Sequence, residues 1–375
     1  MRRAGAGGAP KNTQMKKRKI PIAILATLVL VFHVPACMQV ETPEREISFQ
    51  VASHVASVTK TDDYAASYGG VPFGAYAWYK GENPTDDADF MTNQKVIYDG
   101  AYWKPDGTTY YWPRSGSLDF ICYSPYAASG GPAVTEDRIT WTGWNVAANP
   151  DVDLMYATKA PGQTGPATTY YYNGVPTLFH HALAQVAVNV RLAYSEKEAS
   201  TGDKTRWKVT VHDITLKNLY TTGSLSLSLG DDGRTWVAPA TWTTSGSATD
   251  IALDCSELPA EISDETLRPV GESFLVLPQT LGTTTYVDME ISILTEHDKG
   301  DGYQTFLTES HIHVGGTLSS TALPAWGVNH RITYTFVLAP SLPTEEGGVQ
   351  IPTEVHFDPA VDGWQEVTLN MNINI

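Results

Sequence analysis

The sequence predicts an all-β protein, and three of its features support that fold class. Apolar and polar residues alternate over many short segments, a period of two that is typical of strands with one buried face. Gly, Pro, Asp and Asn interrupt these segments, as turns between strands require. No stretch keeps an amphipathic helical period over three turns, and residues 265–271 (ETLRPVG) are the nearest short helix candidate. The simplest arrangement is a pair of β-sandwiches with long loops.

The internal strands are predicted from segments that alternate or are rich in β-branched and aromatic residues, the residue types enriched in strands. In chain order, these segments are residues 73–79, 116–124, 185–194, 206–216, 223–229, 272–278, 286–294 and 330–338.

The last segment, EVTLNMNINI, alternates strictly and predicts a terminal strand with one apolar face. At about 3.3 Å per residue, it would extend over roughly 30 Å. Such a strand either completes the chain's own sheet or is added to the sheet of another molecule, and the ending alone leaves both alternatives open. The apolar face consists of Val367, Leu369, Met371, Ile373 and Ile375.

The start of the chain predicts a signal peptide over residues 1–36. These residues include seven Lys and Arg and no acid, and they contain an apolar core of 13 residues, Ile20–Phe32. That core is shorter than the roughly 20 apolar residues of a membrane-spanning helix. Met15 offers an alternative start. The exit V-P-A-C resembles the lipobox of bacterial lipoproteins, so we expect acylation of Cys37; the alternative is an ordinary signal peptide with a chance cysteine.

Without that leader, the chain carries 18 Lys and Arg against 41 Asp and Glu, a net charge of −23. A surface this acidic argues against a nucleic-acid partner and against electrostatic docking on anionic lipid. We therefore expect membrane attachment only through the lipid on Cys37. Cys122 and Cys255 are the other cysteines, and they provide no disulfide framework and no metal finger, although the two could pair with each other.

The length of the mature chain predicts two domains, because about 340 residues exceed one ordinary domain. The most loop-like stretch near the middle is residues 160–176. We therefore predict an N-terminal domain over residues 37–174 and a C-terminal domain over residues 175–375.

The sequence carries no catalytic motif, so we expect no enzymatic activity and no cofactor. A glycosidase would need two facing carboxylates, and no pair is marked here. His311 and His313 would share a strand face but lack a third ligand, so no metal site is predicted. His180 and His181 lie in an apolar run and are expected to be packed and hydrogen-bonded. Residues 297–303 (HDKGDGY) are expected to form a polar hairpin turn rather than a calcium loop.

Aromatic residues are abundant, with 10 Trp and 19 Tyr. The cluster at residues 101–113 (AYWKPDGTTYYWP) is either a platform for stacking sugars or a set of core and cross-strand pairs. The second arrangement is the commoner one in sandwich proteins.

Five segments taken in order resemble landmarks of the fimbrillin family, the lipoprotein-derived type V pilins and pilin-like proteins of Bacteroidota. The order and spacing agree from about residue 46 to the C-terminus. The five segments are residues 109–126, 152–160, 176–190, 274–281 and 325–338.

The resemblance implies two tandem transthyretin-like β-sandwich domains that assemble with other pilin subunits. In polymerising members, a trypsin-like protease removes an N-terminal strand, and the emptied groove accepts a strand from the next subunit. Here, residues 46–53 place Ile47, Phe49 and Val51 on one face, as a removable strand should. Lys60 lies where the cleavage site of the family would fall.

The chain departs from the family pattern at this site. Lys60 stands where Arg is more usual, and Asp62 and Asp63 immediately downstream would slow a trypsin-like protease. Arg45 is an alternative site, but cleavage there would release only the lipid and leave the strand in place. A chain cut at neither residue would stay anchored.

The sequence therefore predicts a surface-exported pilus subunit at the cell outer membrane or in the fimbrium, with the terminal strand as donor. Its role would be adhesion to a host or bacterial surface ligand. The alternative is a non-polymerising outer-membrane surface lipoprotein, which would serve as a pilus anchor or as a module that binds glycan or host protein.

Overall fold

The structure is a computed structural model, and it describes the chain in nine ranges. Only the backbone is described for residues 52–53 and for the last two ranges. The ranges are residues 46–53, 71–100, 103–165, 174–239, 241–253, 260–321, 323–340, 355–357 and 365–374.

Strands dominate these ranges, which contain one short 3-10 helix and no α-helix, so the predicted all-β class is confirmed. No helix in the described part of the chain is long and apolar enough to cross a membrane. In chain order the elements are β1 (Phe49–Ser53), β2 (Phe73–Lys80), the 3-10 helix Pro84–Asp86, β3 (Ala88–Tyr98), β4 (Trp103–Pro105), β5 (Ser117–Ser124), β6 (Ala133–Thr135), β7 (Arg138–Asn145), β8 (Met155–Ala157), β9 (Ala160–Gln163), β10 (Val175–His181), β11 (Ala184–Leu192), β12 (Glu196–Glu198), β13 (Lys204–Leu219), β14 (Thr222–Leu229), β15 (Trp236–Val237), β16 (Thr243–Ser245), β17 (Thr249–Ala252), β18 (Ala260–Ile262), β19 (Arg268–Pro269), β20 (Phe274–Val276), β21 (Tyr286–Asp298), β22 (Gln304–Thr317), β23 (His330–Ala339), β24 (Val355–Phe357) and β25 (Gln365–Asn374).

The first sheet has eight strands in the order β2-β3-β4-β1-β10-β8-β5-β9, and a further pairing of β2 with β5 closes it into a ring. Its inward-facing side chains form one apolar core, in which the rings of Phe73, Phe120 and Phe179 are almost fully buried. Alternation along the strands produces this arrangement, because every second residue faces the interior. The ring fixes the position of β1 between β4 and β10.

Two six-stranded sheets enclose a second core in the C-terminal half of the chain. One contains β11, β23 and β25, and the other contains β13, β21 and β22. β11 alternates buried and half-buried residues along its whole length, Ala184–Leu192, which matches the alternation in its sequence. Two sheets that each bury one face against the other form a sandwich.

The fourth sheet combines strands from both halves of the chain. β7, from the N-terminal half, pairs with β14, from the C-terminal half. Ile139 and Trp141 of β7 and Leu225 and Leu227 of β14 are buried in a third core beneath this sheet.

The predicted domain boundary between residues 174 and 175 does not coincide with a boundary between sheets. β10 begins at Val175, yet it pairs with β1 and β8 in the first sheet. The pairing of β7 with β14 also links the two halves, and the described residues from 46 onward form one compact unit. The two tandem domains, over residues 37–174 and 175–375, therefore stay a prediction.

A candidate strand-binding groove

β1 is held between β10 and β4 by unequal pairing on its two sides. It runs parallel to β10 over five register pairs, beginning with Phe49 and Val175. On the other side, Phe49 alone is in register with β4, opposite Trp103. The amide of Ile47 also donates a hydrogen bond to the carbonyl oxygen of Tyr110, at 2.8 Å. Removal of β1 would therefore leave a gap in the ring with β10 as its principal wall.

The three residues predicted to share one face of this strand are almost fully buried. Ile47, Phe49 and Val51 are 2%, 3% and 1% exposed. The ring of Phe49 makes edge-to-face contacts with Phe73, at 5.5 Å between centroids, and with Phe120, at 5.7 Å. Burial of each such side chain stabilises the fold by about 1.5–3 kcal/mol. That the strand is removable stays a prediction.

Gly174 allows β10 to approach β1 closely at the start of their pairing. Its φ of +91° lies in the left-handed region that favours glycine. A Cβ atom at this position would lie 2.6 Å from the carbonyl carbon of Phe49 and 2.7 Å from the amide nitrogen of Gln50. The adjacent amide of Val175 donates to the carbonyl oxygen of Ser48 at 2.7 Å. A side chain at Gly174 would thus collide with any backbone that occupies the position of β1.

Cys122 lies beside the groove as a buried free thiol. It is in hydrogen-bonding contact with Thr177 of β10, and Thr177 is the register partner of Val51. Burial raises the pKa of Cys122, an effect that the hydrogen bond with Thr177 only partly offsets. The thiol is therefore neutral at physiological pH and is not an activated nucleophile. Cys255, the other cysteine with which Cys122 could pair, lies outside the described residues.

The terminal strand lies in the chain's own sheet. β25 runs parallel to β23 over ten register pairs, and β24 pairs with it in the antiparallel sense. This is one of the two alternatives that the sequence left open, and donation to another molecule stays a prediction. The predicted donor residues Val367, Leu369, Met371 and Ile373 lie at register positions opposite Ile332, Tyr334, Phe336 and Leu338, whose side chains are fully buried.

Several predicted site residues lie outside the described ranges. They are the signal peptide over residues 1–36, the lipidation site Cys37, the cleavage candidates Arg45 and Lys60, and Ile375 at the end of the terminal strand.

The adjacent histidines of β10, His180 and His181, have hydrogen-bonding partners. His180 contacts the Thr158 hydroxyl at 3.0 Å, and His181 contacts the Asp153 carboxylate at 2.6 Å. The prediction that this pair is hydrogen-bonded is therefore confirmed.

On β22, His311 and His313 each meet a carboxylate of β21. The ring nitrogens lie 2.5 Å from Glu290 and 3.2 Å from Asp288, respectively. The described residues contain no group of three or more side chains that could hold a metal ion. When protonated, His311 and His313 therefore form ion pairs with the carboxylates of Glu290 and Asp288.

Two further sequence interpretations can be compared with the structure. Asp298 accepts hydrogen bonds from the amides of Gly300 and Gly302, at 2.8 and 3.0 Å, in the turn between β21 and β22. This confirms a polar hairpin turn there. Trp103 and Trp112 from the aromatic cluster are buried in the first core, so their rings are core residues and do not form a sugar platform.

Comparison with known proteins gives a match over most of the chain. Residues 60–357 match a family model described as fimbrillin-like. The matched range includes every described strand except β1 and β25, which lie just outside it. No curated protein matches the sequence.

Solved structures that match the chain include proteins from Bacteroides and Porphyromonas. A fimbrial protein from Bacteroides vulgatus is 17% identical, with a TM-score of 0.49 over 78% of this chain and 95% of that one. A candidate cell adhesion protein from Bacteroides uniformis is also 17% identical, with a TM-score of 0.42 over 77% and 91%. The fimbrial anchor protein Mfa2 from Porphyromonas gingivalis is 10% identical, with a TM-score of 0.24 over 66% and 77%.

Proposed function

The chain belongs to the fimbrillin-like family, and on that premise we propose that it is a lipoprotein-derived pilus subunit that assembles by protease-triggered strand exchange and serves in adhesion. Its partners are other pilin subunits, a trypsin-like processing protease and a ligand on a host or bacterial surface. Acylation of Cys37 anchors the precursor at the outer membrane, and processing releases the subunit into the fimbrium.

The observation that carries this proposal is the way β1 is held. Its three apolar side chains fill a core that belongs to the other strands of the ring, while its backbone is paired chiefly with β10. A strand of this kind can be replaced by another strand of the same alternation, because strand addition uses backbone hydrogen bonds for affinity and alternate side chains for specificity. Lys60 follows β1 in the sequence, so cleavage there separates the strand from the rest of the chain.

The incoming strand in this proposal is residues 367–375 of a neighbouring subunit. This segment repeats the period of two that the apolar residues of β1 show, Ile47, Phe49 and Val51. Its own apolar positions are Val367, Leu369, Met371, Ile373 and Ile375. Donation requires β25 to leave β23 of its own chain, so one set of backbone hydrogen bonds replaces another. In its own sheet the strand lies at register positions opposite buried residues of β23, and in the groove it would take the place of β1, so a paired backbone and an apolar neighbouring strand are available in both arrangements.

The test is limited trypsin digestion of the protein from residue 38 onward, followed by gel electrophoresis with and without boiling and by N-terminal sequencing of the product. We expect a new N-terminus at Thr61 and a ladder of oligomers that boiling dissociates. A Lys60→Ala variant should give no ladder. The matched control is Lys299→Ala, which alters an exposed lysine in the turn between β21 and β22. A monomer after complete cleavage at Lys60 would contradict the proposal.

The second candidate function is a non-polymerising surface lipoprotein, either a pilus anchor or a module that binds glycan or host protein. It is favoured by the pairing of β25 with β23 within the chain. The acidic residues Asp62 and Asp63 after Lys60 also favour it, since they slow trypsin-like cleavage. In that case, the isolated protein keeps the acyl groups on Cys37 and retains residues 46–53.

A further inference from the structure

A cleft of about 450 Å³ lies on the face of β2 opposite to the strand-binding groove. Phe73, Ala75 and Ala77 of β2 face the first core, whereas Tyr76 and Trp78 line the cleft. Successive residues of a strand point to opposite faces, so the same strand serves both. Met91 of β3 contributes both to the first core and to the lining of the cleft, but no lining residue pairs with β1. The volume of the cleft is in the range of small-molecule sites.

Two aromatic residues line the cleft, and Tyr76 is the more accessible of the two. The rings of Tyr76 and Trp78 are nearly parallel, with an interplanar angle of 14° and centroids 6.1 Å apart. Trp78 is largely buried and packs in the third core, which fixes its orientation. Tyr76 is half-buried, and burial raises the pKa of its hydroxyl. The phenol therefore stays neutral and can donate a hydrogen bond into the cleft.

Carboxylates from two directions line the rim. Asp89 of β3 is the register partner of Trp78 and is exposed. Across the cleft, Glu136 and Asp137 form the two-residue turn between β6 and β7. Thr92 of β3 adds a hydroxyl to the lining. The lining thus combines carboxylates that accept hydrogen bonds, a hydroxyl that donates one, and two aromatic residues.

The turn that carries two of these carboxylates is held in place by several contacts. Lys80 Nζ lies 2.6 Å from Glu136 Oε2, and this hydrogen bond is the largest cause of the raised pKa of Lys80. Lys159 Nζ donates to the backbone oxygen of Glu136 at 3.0 Å. The amide of Leu229 donates to the backbone oxygen of Asp137 at 3.1 Å. A wall fixed in advance loses little conformational entropy when a ligand binds.

We propose that this cleft binds a neutral pyranose sugar. A pyranose has a C–H face that can lie against an aromatic ring and hydroxyls that both donate and accept hydrogen bonds, which matches the mixed lining. Asp89, Asp137 and the chain's net charge disfavour anionic sugars. The charge of Lys80, beside the cleft, is already paired with Asp87 and Glu136, so the experiment below includes a cationic probe. The site is independent of the proposed strand exchange.

The test is saturation-transfer NMR on the full chain with methyl glycosides of glucose, galactose, mannose and N-acetylglucosamine. Sialic acid serves as the anionic probe and arginine amide as the cationic one. We expect saturation transfer to at least one neutral glycoside and to neither charged probe. Absence of transfer to all four glycosides, or transfer confined to a charged probe, would overturn the proposal.

The location of the site is tested by calorimetry with the best glycoside. The double variant Asp89→Ala, Asp137→Ala should bind at least about tenfold more weakly, since hydrogen bonds to charged groups are lost. The control is Asp151→Ala, Asp301→Ala, which removes two exposed carboxylates away from the cleft and should bind like the unaltered chain. Equal affinity in both double variants, with unchanged melting temperatures, would place the sugar elsewhere and overturn the assignment.

Discussion

Gly174 is the residue that controls most directly how closely β10 can approach β1. It combines a left-handed backbone with a close approach to β1, and these two requirements can be separated by comparison with Gly202. Gly202 has a similar φ of +87°, but a Cβ atom built there meets nothing within 4 Å. If Gly174→Ala lowers the free energy of unfolding more than Gly202→Ala does, the difference therefore measures the contact with β1.

We expect Gly174→Ala to destabilise the protein more than Gly202→Ala does. The control should lose about 1–2 kcal/mol through its left-handed backbone alone. Gly174→Ala should lose about 3 kcal/mol or more, because the added methyl group collides with the backbone at Phe49 and Gln50. Urea unfolding of the two variants gives both values, and equal losses would mean that Gly174 does not limit the approach of β1.

The sequence predicted some residues of the site and not others. The burial of Ile47, Phe49 and Val51 follows from their alternation. The importance of Gly174 could not be read in advance, because a glycine before a strand is also typical of an ordinary loop. Whether Trp103 faced the core or solvent was equally undecided, since burial depends on how the sheet closes.

The alternation of apolar and polar residues was sufficient to predict some strands and not others. Residues 185–194 were predicted as a strand and β11 spans Ala184–Leu192, because one of its faces is buried and the other is partly wet. β22, over Gln304–Thr317, was predicted only in part, through the strand face that His311 and His313 share. It is the outermost strand of its sheet and is exposed along most of its length, so it needs no apolar alternation. β10 was missed because it begins inside the segment assigned to a loop, residues 160–176.

At the level of elements, we predict that deletion of residues 367–375 leaves a folded monomer. β23 keeps its parallel pairing with β11, and Tyr334 and Phe336 keep the rest of the second core around them. Circular dichroism should therefore retain the β signal, with a lowered melting temperature. After cleavage at Lys60, this variant should accept a donor strand but pass none on, and so end the ladder formed by the unaltered chain.

A double variant, Asn370→Ser and Asn372→Ser, is the control for that deletion. It changes the polar positions of the strand and leaves the apolar ones intact, so the ladder should persist. Failure of the deleted chain to fold would show that β25 belongs permanently to its own sheet.

The whole molecule could be predicted only in part. All-β architecture follows from composition and alternation, whereas the sheet shared by β7 and β14 joins segments that are far apart in the chain. Thr140 and Ser226, for example, are 86 residues apart in sequence, yet their hydroxyls lie 3.1 Å apart. Pairing at such separation leaves no local signal, so loop composition alone could not predict that β7 and β14 share a sheet.

The central claim is that removal of β1 opens a groove that a terminal strand fills. The most direct measurement is the fluorescence anisotropy of a labelled peptide of residues 365–375, mixed with the protein before and after cleavage at Lys60. A peptide with Leu369→Asp and Met371→Asp is the control, because it keeps the length and loses the apolar face. We expect the native peptide to bind the cleaved protein and not the uncleaved protein, and we expect the control peptide to bind neither. Failure to bind the cleaved protein, or equal binding to both forms, would contradict the claim.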